Sequence, residues 1–169
     1  MKKQKKRTIV VLFTCYRDLF SSFLYHITHR GYTHASISLK EDSDYYYSFN
    51  IKGFRREYPQ NYKKRMRDKS AAFHLEVSEE SYQRIKKCLM EMETDSKTYH
   101  YSRLGVLFCL LHFAWRKERH YFCSQFVSEL LVKAGGIPLK KQPSLYLPNQ
   151  LEQELSGLPC VKCIKLQAV

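Results

Sequence analysis

Segments with strand periodicity and segments with helix periodicity follow one another along this chain in no regular order, which predicts an α+β fold in a single domain. Three observations support it. THASISL, YYYSFNI and AAFHLEV alternate apolar and polar residues as half-buried strands do, whereas YQRIKKCLMEM and FVSELLVKA repeat apolar residues at helical spacing. No internal repeat or low-complexity linker divides the 169 residues, so one domain is expected over 1–169, with a basic tail at 1–7. Hydrophobic residues make up 44% of the chain, enough for a core without disulfide or metal staples.

The elements fall in order. Thr8 to Phe13 is an apolar run of strand length. Leu19, Phe20, Phe23, Leu24 and Ile27 then mark an amphipathic helix, closed by His29 and Arg30 in its last turn and Gly31 beyond it. In THASISL, Ala35, Ile37 and Leu39 point one way and His34, Ser36 and Ser38 the other. The polar KEDSD turns the chain into a second strand, where Tyr45, Tyr47, Phe49 and Ile51 alternate with Tyr46, Ser48 and Asn50. Lys52 to Lys69 reads as a basic loop, and Phe73, Leu75 and Val77 give the next strand its apolar face. Ser78 caps a helix whose Glu79 and Glu80 suit the positive end of the dipole and whose Tyr82, Ile85, Leu89 and Met92 form its core stripe. A second apolar helix is expected over 102–115, buried in the fold. A third, YFCSQFVSELLVKAGG, stops at Gly135, Gly136 and Pro138. PSLYLPNQLEQEL predicts a proline-bounded loop and a short helix, and PCVKCIKL a last strand. There Cys160 and Cys163 read as strand residues rather than as half of a zinc site.

A formal charge of +13 is large for this length and points to an acidic partner: anionic membrane, acidic cell-wall polymer or nucleic acid. The charge is concentrated in KKQKKR at the start and in Lys52 to Lys69, where Tyr58 and Tyr62 interleave with it. No nucleic-acid motif accompanies these residues, so direct nucleic-acid binding is not expected. The six cysteines are scattered and form no disulfide framework, which suits a reducing compartment. The basic start imitates a secretion signal, but its apolar run is short and meets Arg17 and Asp18 without a small-residue cleavage site. LGVLFCLLHFAW is also short against the roughly twenty residues that span a bilayer. A cytoplasmic location is therefore expected, with contact at a membrane surface as the alternative. Composition says nothing of oligomeric state.

The chemistry begins at Cys123. On the apolar stripe of its helix (Cys123, Phe126, Val127, Leu130, Leu131, Ala134) a free cysteine is ordinarily a small core residue. Its position in the first turn sets it apart, because unpaired N–H groups and the helix dipole favour an anion there, as a nucleophilic thiolate requires. A base must stand within reach. His34 begins a strand on its polar face, beside small Ser36 and Ser38 that let another element approach. The other histidines are less suited: His26 and His29 sit at a surface-helix end, His74 shares a face with Glu76, and His100, His112 and His120 flank or occupy helices.

GYTHASISL followed much later by YFCSQFVSELL resembles the circularly permuted NlpC/P60-type papain-like hydrolases, the group that includes YiiX-like proteins and lecithin:retinol acyltransferase-like enzymes. Order is the sign, since the histidine strand here precedes the cysteine helix. The likeness runs from the first strand through YYYSFN and GFRRE to PSLYLPNQL. It implies a papain-like, half-barrel antiparallel sheet packed with helices, with Cys123 as nucleophile and His34 as general base and acid. A polar residue orients the imidazole in such sites. Counting around the KEDSD turn places Asn50 near His34 with Ser48 diagonal to it, and Glu57 in GFRRE is the carboxylate candidate.

Two function classes follow. The first is a cysteine hydrolase or acyltransferase acting on an amide, ester or thioester through an acyl-cysteine, with a peptidoglycan-type peptide, an isopeptide or an acyl lipid as substrate. It calls for no cofactor and no metal. The second is a catalytically silent papain-like module that binds anionic membrane or another polyanion through its basic surface.

Overall fold

The computed structural model describes residues 5–29 and 31–167, with backbone alone at 65, 67, 68 and 163–167. Its centre is β1 (Lys6–Tyr16), the middle of an antiparallel six-stranded sheet. On one side lie β2 (His34–Ser38), β3 (Tyr46–Asn50) and β4 (Gly53–Glu57), and on the other β5 (Met66–Ser78) and β8 (Val161–Gln167). Val11 stands opposite both Ile37 and Phe73, and Ile37 opposite Tyr47, so one apolar row crosses four strands.

That row belongs to the main core. Ile9, Val11, Phe13, Ala35, Ile37, Phe49, Phe73 and Leu75 are fully buried against side chains of α2 (Glu79–Thr94), α4 (Cys123–Lys133) and α5 (Pro148–Ser156). The opposite face carries a second apolar group, Val10, Leu12, Tyr46 and Ala72, among the hydroxyls of Ser36, Ser38 and Ser48, and all seven are buried.

Two further helices are α1 (Leu19–Ile27), capped by Asp18 through the Ser21 N–H, and α3 (Arg103–Leu110), capped by Ser102 through the Gly105 N–H. The short parallel strands β6 (His100–Tyr101) and β7 (His120–Tyr121) lead into α3 and α4. Among the described residues no helix is long and apolar enough to cross a membrane.

The structure alters four expectations. The first strand starts at Lys6 rather than Thr8, so the end of the basic tail is strand: Lys6 and Arg7 pair with Ser78 and Val77. Lys6 bridges to Glu76, and the Arg7 guanidinium lies 4.3 Å over the Tyr82 ring. The rest of KKQKKR at positions 2–4, and Arg30, lie outside the described residues, as do the side chains of Arg65, Arg67 and Cys163.

The basic loop, second, contains β4 and a 3₁₀ turn, Pro59–Arg65. Ile51 and Lys52 make the tight turn from β3, and Gly53 completes it at φ +91, where a Cβ would sit 2.4 Å from the Tyr99 carbonyl oxygen. Only glycine suits that place. Third, the helix expected over 102–115 ends at Leu110, with His112 in the left-handed region at φ +62. It is also only half buried: Val106 and Cys109 face inward while Leu104, Leu107 and Leu111 are exposed. Fourth, the stripe of α1 is not a core stripe, for Leu24 alone of its five apolar positions is buried.

Candidate active site

Cys123 is the first residue of α4, whose N-cap Phe122 supplies no side-chain capping bond, leaving the first-turn N–H groups without an intrahelical acceptor. The helix is fixed on every side. Phe126, Val127 and Leu131 enter the main core, and Ser124 Oγ donates to the Tyr146 carbonyl at 2.6 Å. Glu129 is held by Arg116 and Lys133. A sulfur at the start of such a helix has a defined position.

His34 opens β2, opposite Thr14 of β1. Its Nε2 stands 2.7 Å from Glu57 Oε2, and Asn50 Nδ2 donates to Glu57 Oε1 at 2.7 Å. The Lys52 N–H in turn donates to Asn50 Oδ1 at 2.9 Å, so the β3–β4 turn holds the amide in place. Cys123 stands beside the imidazole, close enough to act on its ionisation. All three principal groups are buried: Cys123, His34 and Glu57 are each no more than 7% exposed.

The electrostatics follow from that packing. Burial by itself would lower the His34 pKa, but the Glu57 carboxylate and the Cys123 side chain more than offset it, and the imidazole pKa is raised well above 6.5. Burial would likewise raise the Glu57 pKa. The His34 charge, the bonds to His34 and Asn50 and the Arg55 charge prevail, and the carboxyl lies below its usual value. Both shifts favour an imidazolium facing a carboxylate.

Of the three candidates for orienting the imidazole, Glu57 touches it and Asn50 holds Glu57. Continuing the Ile37–Tyr47 register along both strands brings Asn50 level with His34, yet its amide bonds the carboxylate instead. Ser48 is not part of the group: it is fully buried and its hydroxyl donates to the Ala35 carbonyl at 2.7 Å, tying β3 to β2.

Cys123, His34, Glu57 and Asn50 line a cleft of about 590 Å³. Its walls add residues that sequence reasoning did not assign to the site. Tyr16 packs on the His34 ring with centroids 5.1 Å apart and is met on another side by Tyr62 at 6.1 Å. Tyr101, Phe20 and Ile51 are further apolar walls, and Arg17, Lys52, Arg55 and Lys64 supply positive charge. The Tyr101 hydroxyl pKa is pushed up by burial first and then by Cys123 and Asp18, with Arg103 opposing. Nothing in the local sequence distinguishes Tyr16 or Tyr101 from the other eleven of the chain's 13 tyrosines; only the fold selects them.

Neither a protein-family model nor a curated protein matches the sequence. Among solved structures, the chain is similar to the metalloprotein YiiX of Escherichia coli O157:H7, a DUF1105 protein, with a TM-score of 0.59 and 16% identity over 92% of this chain and 94% of that one. At that identity the likeness concerns fold. Among the described residues of this chain, no three His, Cys, Asp or Glu side chains are grouped to hold a metal ion. His34 Nε2 is moreover engaged by Glu57, so no chemical step is derived through a metal. The chain has a YiiX-like α+β fold, with its six-stranded antiparallel sheet carrying His34 and Glu57 and its central helix carrying Cys123.

Proposed function

We propose that this protein is a thiol acyl-transfer enzyme of the permuted papain-like kind, a hydrolase or acyltransferase that cleaves an amide, ester or thioester through an acyl-Cys123 intermediate. The observation that carries the reading is the chain Asn50–Glu57–His34 ending beside Cys123 at a cleft. Glu57 fixes the ring and stabilises its charged form, which lets His34 take the thiol proton and hold it.

The thiolate attacks the substrate carbonyl, and the oxygen becomes an oxyanion facing the uncapped N–H groups at the start of α4. Collapse breaks the bond to the leaving amine, alcohol or thiol, which takes its proton from His34. A water, or an acceptor amine or alcohol, then gives its proton to His34 and attacks the thioester, and the acyl group departs as Cys123 is released. The aromatic walls suit an apolar or peptide acyl group, and the basic rim suits a substrate with a negative charge near the scissile bond. Peptidoglycan-type peptides, isopeptides and acyl lipids all meet that description.

Intact-mass measurement after incubation with a panel of acyl esters, thioesters and peptides tests the reading. A mass increment equal to the acyl group, located on Cys123 and absent from Cys123→Ala, is the expected result. Turnover that survives Cys123→Ala refutes the mechanism.

A further inference from the structure

Two helices present apolar side chains to solvent. On α1, Leu19, Phe23 and Ile27 follow at intervals of four and are 93%, 54% and 46% exposed, with Phe20 beside them. On α3 and the turn after it, Leu104, Leu107, Leu111 and Phe113 are each at least half exposed. Neither segment carries acidic residues: 19–27 has no Asp, Glu, Lys or Arg, and 104–115 has none either. Leu24 of α1 and Val106 and Cys109 of α3 share a small core with Phe122 and Leu147, so the two helices are neighbours. Their first turns converge beside the cleft, for Asp18, Arg103 and Cys123 all act on the Tyr101 hydroxyl, and Phe20 lines the cleft itself.

Exposed apolar side chains grouped on two neighbouring helices mark an interaction site. Its rim decides the partner. Arg17 precedes α1, Arg103 opens α3, Lys117 follows Phe113, and Lys52 and Lys64 stand at the cleft, all exposed, and they outnumber the exposed acidic neighbours Asp18 and Glu118. Apolar residues at the centre with cations around them match a bilayer whose head groups are anionic. A second copy of this chain is a poor match, because two bodies of charge +13 repel. We propose that the exposed faces of α1 and α3 form a docking surface for an anionic membrane, with Leu19, Phe23, Leu107 and Phe113 entering the interface and the cationic rim meeting lipid phosphates. The inserting side chains are distinct from Cys123, His34, Glu57 and Asn50, so the docking surface stands or falls separately from the acyl-transfer reading.

The test is co-sedimentation of the full chain with vesicles of phosphatidylcholine and phosphatidylglycerol, and with vesicles of phosphatidylcholine alone. Binding to the anionic vesicles, weakening with added salt, is expected. The triple variant Phe23→Ser, Leu107→Ser, Phe113→Ser should bind at least about tenfold more weakly, since apolar insertion supplies much of the affinity. Cys123→Ala should bind as wild type does. Trp115, the only tryptophan, stacks on Phe108 at 5.6 Å beside this surface and provides a second readout in the unaltered protein. Its emission should shift to the blue on addition of anionic vesicles. Unchanged binding in the triple variant, equal binding to both vesicle types, an unmoved Trp115 emission, or a dimer that covers this face and excludes vesicles overturns the proposal.

Discussion

Helices α3 and α4 each follow one of two paired short strands, yet they meet opposite fates. RLGVLFCL is the more apolar and leaves Leu104 and Leu107 in solvent. CSQFVSELLVK contains Ser124, Gln125, Ser128 and Glu129, and all four are buried. Composition therefore does not decide which helix is inside. The place each takes in the fold does: α4 is covered by β2 and β3 on one side and by the 143–145 turn on another, whereas α3 packs into the fold through Val106 and Cys109 and leaves Leu104 and Leu107 uncovered. Ser124 finds a partner at Tyr146 and Glu129 at Arg116 and Lys133, while the buried Ser128 hydroxyl has none among the described residues. One helix is consequently a rigid mount for chemistry and the other an available surface.

The largest effect that follows concerns Cys123. If α4 is the mount for a nucleophile, Cys123→Ala should lower turnover of any acyl substrate by at least about a thousandfold while leaving vesicle binding intact. Steady-state kinetics and co-sedimentation on the same preparation check both halves. Loss of both together would mean that the two helices do not act separately.

Stability of the site depends on pH in a definite direction. In the unfolded chain His34 titrates near 6.5 and Glu57 near 4.5, and folding raises the first and lowers the second. The pair's stabilisation is thus complete between those values. It is lost as pH rises through the raised His34 pKa, and equally as pH falls through the lowered Glu57 pKa. Glu57→Ala leaves a buried imidazole without its carboxylate, at a cost of about 3–5 kcal/mol near pH 5.5 that shrinks at alkaline pH. Thermal unfolding of both proteins across pH measures it, and a gap that does not vary with pH contradicts the ion pair.

How much of this was legible in the sequence depends on whether the signal is local. Alternation in THASISL and YYYSFNI, the Ser78 cap and the apolar stripe of α4 follow from spacing alone, and each corresponds to an element of the structure. The fold class follows from them. His34 and Cys123 were separable from other histidines and cysteines by element type and chain order, although 88 residues lie between them. β4 was not legible, because Phe54-Arg55-Arg56-Glu57 carries no alternation and its strand character comes from pairing with β3. Glu57 was therefore one candidate among three, and only tertiary structure separates a carboxylate on the imidazole from an amide behind it. The exposure of α1 and α3 was illegible for the same reason. A helical apolar stripe records that a surface avoids water, and the covering element is fixed elsewhere in the chain.

The core beneath α4 offers the next contrast. Leu131 is fully buried in the main core, and Leu131→Ala removes methyl groups whose space the surroundings only partly reclaim, at about 2–5 kcal/mol. The corresponding loss on α3 should be far smaller.

Leu107 is 50% exposed, so Leu107→Ala gives up little apolar burial, and alanine is itself the better helix former. The two effects nearly cancel, leaving a change within about 0.5 kcal/mol, the range of ordinary surface substitutions. Denaturant unfolding of the two variants side by side measures the difference. A cost at Leu107 approaching that at Leu131 would mean that α3 is covered in solution by something absent from the isolated chain. A negligible cost, combined with weaker vesicle binding, would mean that Leu107 is kept for contact outside the fold rather than for the fold itself.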